Sequence, residues 1–168
     1  MKTRILYGLI IGSSLVASAT VISFDSKTDT ANNLKHMSTG MLIYCADYDD
    51  VLPYVLESKT AMAVIFPYVK DRQSFKSLNP GSHFGYNISL GGVNLTDIPS
   101  PKATVLFYDA KAWADGSHLA ATTDAEVKAY DAKQWAALSK SLKSKISRTA
   151  VRPLPKDYYK KLYPQIGF

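Results

Sequence analysis

Between Asn32 and Pro53 the apolar residues recur at helical spacing. Leu34, Met37, Met41, Tyr44 and Tyr48 stand at steps of three, four, three and four, which places them on one stripe of an α-helix. Leu42 and Cys45 widen the stripe, and Ile43 falls on the far side. Ser26 and Asp29 form an S-x-x-D pattern that predicts the helix N-terminus. From there to Tyr48 is about 22 residues, roughly 33 Å of helix. Asp49 and Asp50 carry charge of the wrong sign for a helix C-terminus, and Pro53 ends the element.

Beyond Pro53 the pattern shortens. Ala61–Val69 is apolar and contains Pro67, which predicts a brief helix leading into a turn rather than a central strand. Asn79-Pro80-Gly81-Ser82 is a turn. His83–Ser89 alternates as a half-buried strand does, and Gly91-Gly92 opens a tight connection to Val93-Asn94-Leu95. Ala103–Tyr108 is β-branched, aromatic and continuously apolar, as expected of a central strand. Asp115-Gly116 signals a hairpin. His118–Thr122 and Glu126–Tyr130 form the expected last strand pair, turning at Thr123-Asp124. Gln134–Ile146 predicts a C-terminal helix with Trp135, Leu138, Leu142 and Ile146 on one side. A long helix followed by antiparallel strands predicts an α+β fold, with one N-terminal helix packed on a small sheet. A C-terminal helix and an extended tail complete it.

The first residues change the picture of where this domain sits. Met1-Lys2-Thr3-Arg4 is basic, Ile5–Ala17 is apolar, and Ala17-Ser18-Ala19 is a small-x-small site. These are the three parts of a secretory signal peptide, with cleavage expected after Ala19. The competing expectation is an uncleaved anchor, since Ile5–Phe24 is just long enough to span a bilayer. Residues 20–146 then form one domain, and residues 147–168 a basic tail rich in Pro and Tyr. Cys45 has no cysteine partner in the chain and is expected to be buried as a small hydrophobe.

Charge is local. The chain carries a net +6; residues 139–168 hold eight Lys or Arg and one acid, a net +7, which leaves −1 for residues 1–138. In the tail Lys156, Lys160 and Lys161 interleave with Tyr158, Tyr159 and Tyr163. Basic and aromatic residues together suit nucleic acid or another polyanion. Pro153, Pro155 and Pro164 favour an extended tail. The preferred reading is a solvated tail whose tyrosines dock on the head.

Catalytic motifs are weak. His36, His83 and His118 lie on different elements without metal-ligand spacing. No nucleophile elbow accompanies the serines, so a degenerate hydrolase built on His118 and Asp109 ranks last. Asp47, Asp49 and Asp50, with Asp109 or Asp115, supply carboxylates of the type that ligates Ca²⁺, without the D-x-D-x-D-G spacing. A solvated, capping acidic turn is the preferred reading.

An ordered set of short matches resembles bacterial prepilin-like proteins, the pseudopilin relatives with an H-x9-D-G segment near the C-terminus. It begins with Asn33-Leu34-Lys35 and Tyr44-x-x-Asp47-Tyr48-Asp49. Phe66-Pro67-Tyr68-Val69-Lys70, Gly85-Tyr86-Asn87, Leu90-Gly91-Gly92, Ile98-x-x-Pro101-x-x-Thr104-Val105-Leu106 and Asp109 follow in order, across roughly Asn32–Trp135. The chain departs from that family at its start, which lacks the G-F-T-L-x-E peptidase site. The family's H-x9-D-G-H-V is represented only by His118 with Asp124-Ala125-Glu126-Val127. The resemblance implies a pilin-like domain without enzymatic activity, exported and periplasmic, extracellular or anchored facing outward. It implies other pilin-like subunits or envelope components as partners, no small-molecule substrate, and calcium as the metal to test at the aspartates. It also implies a bacterial chain, in which the sequons at Asn87 and Asn94 carry no glycan.

Overall fold

The structure is a computed structural model of the 168-residue chain. It describes residues 14–143, 145–149 and 152–155, with side chains from Ser26 onward.

Helix α1 (Ser14–Asp47) runs for 34 residues, about 51 Å at 1.5 Å per residue. Ser26 and Asp29 therefore lie inside the helix and do not cap it. No Gly or Pro interrupts the chain from Ser14 to Thr39, so nothing stops the helix at that S-x-x-D pattern. Leu34, Met37, Met41 and Cys45 are fully buried, as the spacing predicts. Two polar residues, Thr30 and Ser38, share that buried face. Their hydroxyls donate to the carbonyls one turn back, Thr30 to Ser26 and Ser38 to Leu34, each at 2.8 Å, which removes the cost of burying them. Tyr44 is half-buried. Tyr48, expected on the stripe, is 54% exposed: the helix has ended, and its ring instead stacks on Tyr44 with centroids 4.4 Å apart.

The aspartates explain the ending. Asp49 and Asp50 have φ of 55° and 59°, the left-handed region that Asp and Asn tolerate better than most residues. The Asp50 amide then donates back to the Cys45 carbonyl at 2.8 Å.

Helix α2 (Ser58–Val69) buries Thr60, Ala61, Met62, Ala63 and Ile65. It stops on Lys70, at φ 59°, whose amide donates to the Phe66 carbonyl at 2.8 Å. It crosses α1 at Gly40, where an added Cβ would lie 2.5 Å from Val69 Cγ2.

Four antiparallel strands follow in sequence order as a meander: β1 (Phe84–Tyr86), β2 (Val105–Asp109), β3 (His118–Thr122) and β4 (Val127–Tyr130). Gly85 pairs with Tyr108, Tyr108 with Ala120, and His118 with Tyr130. A register shift between Val105 and Phe107 kinks β2. The predicted central strand and the last pair are present. The strand expected over His83–Ser89 is cut to three residues, because Asn87 Oδ1 accepts from Ser89 N and Oγ and starts a 3₁₀ turn. One face of the sheet packs on α1 through Phe107 and Leu119. By strand alternation Tyr108, His118 and Ala120 lie on the other face.

That outer face is met by α3 (Ala132–Leu138), started by a reciprocal capping box between Asp131 and Gln134. The helix expected to reach Ile146 stops at Leu138 and tightens into a 3₁₀ turn over Ser139–Lys143. Tertiary bonds divert it. The Ser141 carbonyl accepts from Asn87 Nδ2 at 3.1 Å and Ser89 Oγ at 3.2 Å, and Ser141 Oγ accepts from Val105 N at 3.0 Å. The first part of the predicted tail also docks: Thr149 N donates to Gly92 O at 2.7 Å and Leu154 N to Tyr54 O at 2.6 Å. The fold is α+β, a long N-terminal helix on a four-stranded antiparallel sheet. Among the described residues, no helix is long and apolar enough to cross a membrane.

Candidate functional site

The acidic turn is fixed through its backbone. Asn94 Nδ2 donates to the Asp49 carbonyl and Leu95 N to the Asp50 carbonyl, both at 2.9 Å. Asp47 Oδ2 accepts from the Tyr68 hydroxyl at 2.9 Å. Desolvation and that bond push the Tyr68 phenol up to about 12. Asp115 belongs to another region, where Lys27 Nζ reaches its Oδ2 at 2.5 Å.

Asp109 is fully buried on β2. It accepts from the Ser82 hydroxyl and from Asn79 Nδ2 at 3.3 Å. Asn79 Nδ2 also donates to the carbonyls of Lys111 and Ala112, and Lys111 N donates to Ser82 Oγ at 3.1 Å. This network joins the Asn79-Pro80-Gly81-Ser82 turn to the start of the β2–β3 loop. Asp109 thus meets Asn79 and Ser82 rather than the turn aspartates. Among the described residues, no three His, Cys, Asp or Glu side chains are grouped to hold a metal ion. Of the carboxylates weighed for calcium, Asp109 therefore lies apart from Asp47, Asp49 and Asp50.

His118 is separated from Asp109 by the pleat. Tyr108 pairs with Ala120, so Asp109 faces α1 while His118 points to the outer face. There the imidazole stacks on Trp135 at 4.8 Å and 10° between planes, and Trp135 also packs on Tyr108 at 5.9 Å. Burial holds His118 below the ordinary imidazole value, against the opposing pull of Asp109. Its Nδ1 is buried and makes no hydrogen bond. Ser82 and Asp109 are joined, but strand alternation turns the imidazole away from them.

The tail residues singled out for polyanion binding, Lys156, Tyr158, Tyr159, Lys160, Lys161 and Tyr163, lie outside the described residues. Upstream of them, Arg148 is occupied. Its Nε donates to the Gly91 carbonyl at 2.8 Å, and its guanidinium sits 4.7 Å above the Tyr54 ring.

Sequence reasoning missed a cleft of about 640 Å³ between the first turn of α2, the 3₁₀ turn at Gln73–Phe75 and the start of β1. Lys59, Arg72, Lys76 and His83 line it, with Glu57 as its acid. Met62 and Phe84, nearly fully buried, form part of its floor. Asp71 is close in sequence, but its carboxylate is used by the turn. It accepts from the Gln73 and Ser74 amides and the Ser74 hydroxyl, which hold it below the usual carboxylate range. The four basic residues come from three segments with no common spacing, so no motif announces them.

No model of a known protein family matches the chain, and no curated protein or solved structure does.

Proposed function

We propose that this chain is a pilin-like structural or binding protein of the bacterial envelope, exported and acting without catalysis. The observation that carries the reading is the length of α1 against the layer that covers it. A five-residue strand spans about 17 Å, and four strands about 5 Å apart make a sheet of similar width. After cleavage following Ala19 the helix over residues 20–47 still runs about 42 Å, longer than that sheet. Such a rod holds a small head by its C-terminal part and leaves helix over for contacts between subunits. The exposed side of the packed segment carries Ile43, 47% exposed. The N-terminal basic and apolar residues suit export. Partners on this reading are other pilin-like subunits or envelope components.

The test is compartment. Cells making the full chain are fractionated, and intact cells and spheroplasts are treated with protease. A head in the envelope or periplasmic fraction, cleaved only once the outer barrier is opened, supports the reading. Protein confined to the cytosol would sink it.

The interleaving of Lys156, Lys160 and Lys161 with Tyr158, Tyr159 and Tyr163 favours a second reading, polyanion binding by the end of the tail. Deletion should begin at Lys156 rather than Ser147, because Thr149 and Leu154 are bonded to the head. Salt-dependent retention on heparin that survives this deletion would remove the second reading.

A further inference from the structure

We infer that the cleft between α2, the Gln73–Phe75 turn and β1 binds a small organic anion, an acidic head group on an apolar body. This inference is independent of the envelope reading. At about 640 Å³ the cleft has the size of a small-molecule site. Its walls come from three chain segments, so it is a half-open cleft rather than a flat face. Lys59, Arg72 and Lys76 against Glu57 give +3 − 1 = +2 in one cleft. Residues 1–138 as a whole sum to −1, so the positive charge is concentrated here against the trend of the body around it. Among the described residues, the side chains of Arg72 and Lys76 make no hydrogen bond or ion pair, and both residues are exposed at the rim. The nearest carboxylate in sequence, Asp71, is saturated by amides and a hydroxyl.

The chemistry below the rim is apolar. Met62 and Phe84 are 5% and 2% exposed and present only their edges. A flat or branched hydrocarbon would cover those edges while its acid group meets the cations. Glu57 accepts from Thr60 Oγ1 at 3.1 Å. An inorganic anion would leave the floor unused, and a neutral apolar molecule would leave the rim unused.

The test uses 8-anilinonaphthalene-1-sulfonate as the anionic probe and N-phenyl-1-naphthylamine as its neutral counterpart, titrated by fluorescence against the full chain. The expected result is saturable binding of the sulfonate that weakens with salt. In Arg72→Glu/Lys76→Glu its dissociation constant should rise about tenfold or more, with neutral-probe binding nearly unchanged. Circular dichroism and the melting curve should stay at wild type, because both residues are exposed. Sulfonate binding unchanged in a folded charge-swap variant would overturn the inference. Loss of binding on deleting residues 156–168 instead would also overturn it, by moving the anion site to the tail.

Discussion

Gly40→Ala tests the packing of the long helix most sharply, because two opposed effects meet at one methyl group. In an unencumbered helix interior the change stabilises by about 1 kcal/mol. Here the new Cβ would lie 2.5 Å from Val69 Cγ2, with Tyr68 Cβ and Val69 N at 3.7 Å. Ordinary carbon contacts are about 3.5–4.0 Å, so α2 must move or Val69 must leave its position. Overpacking of this kind costs about 1–3 kcal/mol. The net expectation is a loss near 1 kcal/mol, a fall of roughly 2–4 °C in Tm for a chain of this size. The partner variant is Val69→Ala, which removes the clashing atom. In the double mutant the clash is gone and the helical gain remains, so the cycle should show a favourable coupling of about 1–3 kcal/mol. Urea melts followed by circular dichroism at 222 nm read all four proteins. If Gly40→Ala alone stabilises by about 1 kcal/mol and shows no coupling to Val69→Ala, the helices do not meet at Gly40 and the account of the core fails.

Three further outcomes follow from the same structure. Cys45 is buried, and desolvation with Asp50 adding pushes its thiol up to about 12; the native protein should resist maleimide at pH 7 and react fully in urea, and rapid native labelling would contradict the buried stripe. Lys27 and the Ser117 hydroxyl and amide hold the Asp115 carboxylate well below its usual range. Its stabilising contribution should therefore be complete above the ordinary carboxylate pKa and fade as pH falls toward the depressed folded value. Asp115→Asn should cost under about 1 kcal/mol at pH 7, since the pair is solvent-screened, and a gap from wild type that widened in acid would have the wrong sign. Asn79→Ala removes a donor to buried Asp109 and to the carbonyls of Lys111 and Ala112. It should lower stability by about 1–3 kcal/mol in a urea melt, and a neutral result would deny that network a structural role.

How much of this the sequence disclosed depends on what kind of force acts at each place. Leu34, Met37 and Met41 are readable because burial follows a simple period, β2 because its run is continuously apolar and β-branched, and β3 and β4 because their turns use Asp-Gly and Thr-Asp chemistry. Tyr48 is misread because the period says nothing about where a helix ends. The end is decided by Asp49 and Asp50 taking left-handed backbone, so residues weighed as metal ligands act as a terminator. Thr30 and Ser38 are absent from any apolar stripe, yet their hydroxyls are satisfied locally and go inside. The C-terminal helix is overdrawn because Ser141 is claimed by Asn87, Ser89 and Val105, partners 36 or more residues away. Long-range partners of this kind leave no local signature. The cleft shows the same limit: Lys59, Arg72, Lys76 and His83 converge only after α2 and β1 are placed. The aspartates show it too: Asp47, Asp49 and Asp50 stay together at the end of α1, while Asp109 is held by Asn79 and Ser82.

The central claim is that the open side of α1 meets other subunits outside the cytoplasm. Thr39 and Ile43 are exposed on that side of the packed segment, and buried Cys45 is the chain's own cysteine, so a new surface thiol reports without background. The decisive measurement is oxidative cross-linking of Thr39→Cys and Ile43→Cys in intact cells, resolved on non-reducing gels. The account predicts envelope-associated dimers or higher ladders at one or both positions and none in the parent. Monomer alone at both positions, with oxidation verified on a known cross-linking control, would contradict it.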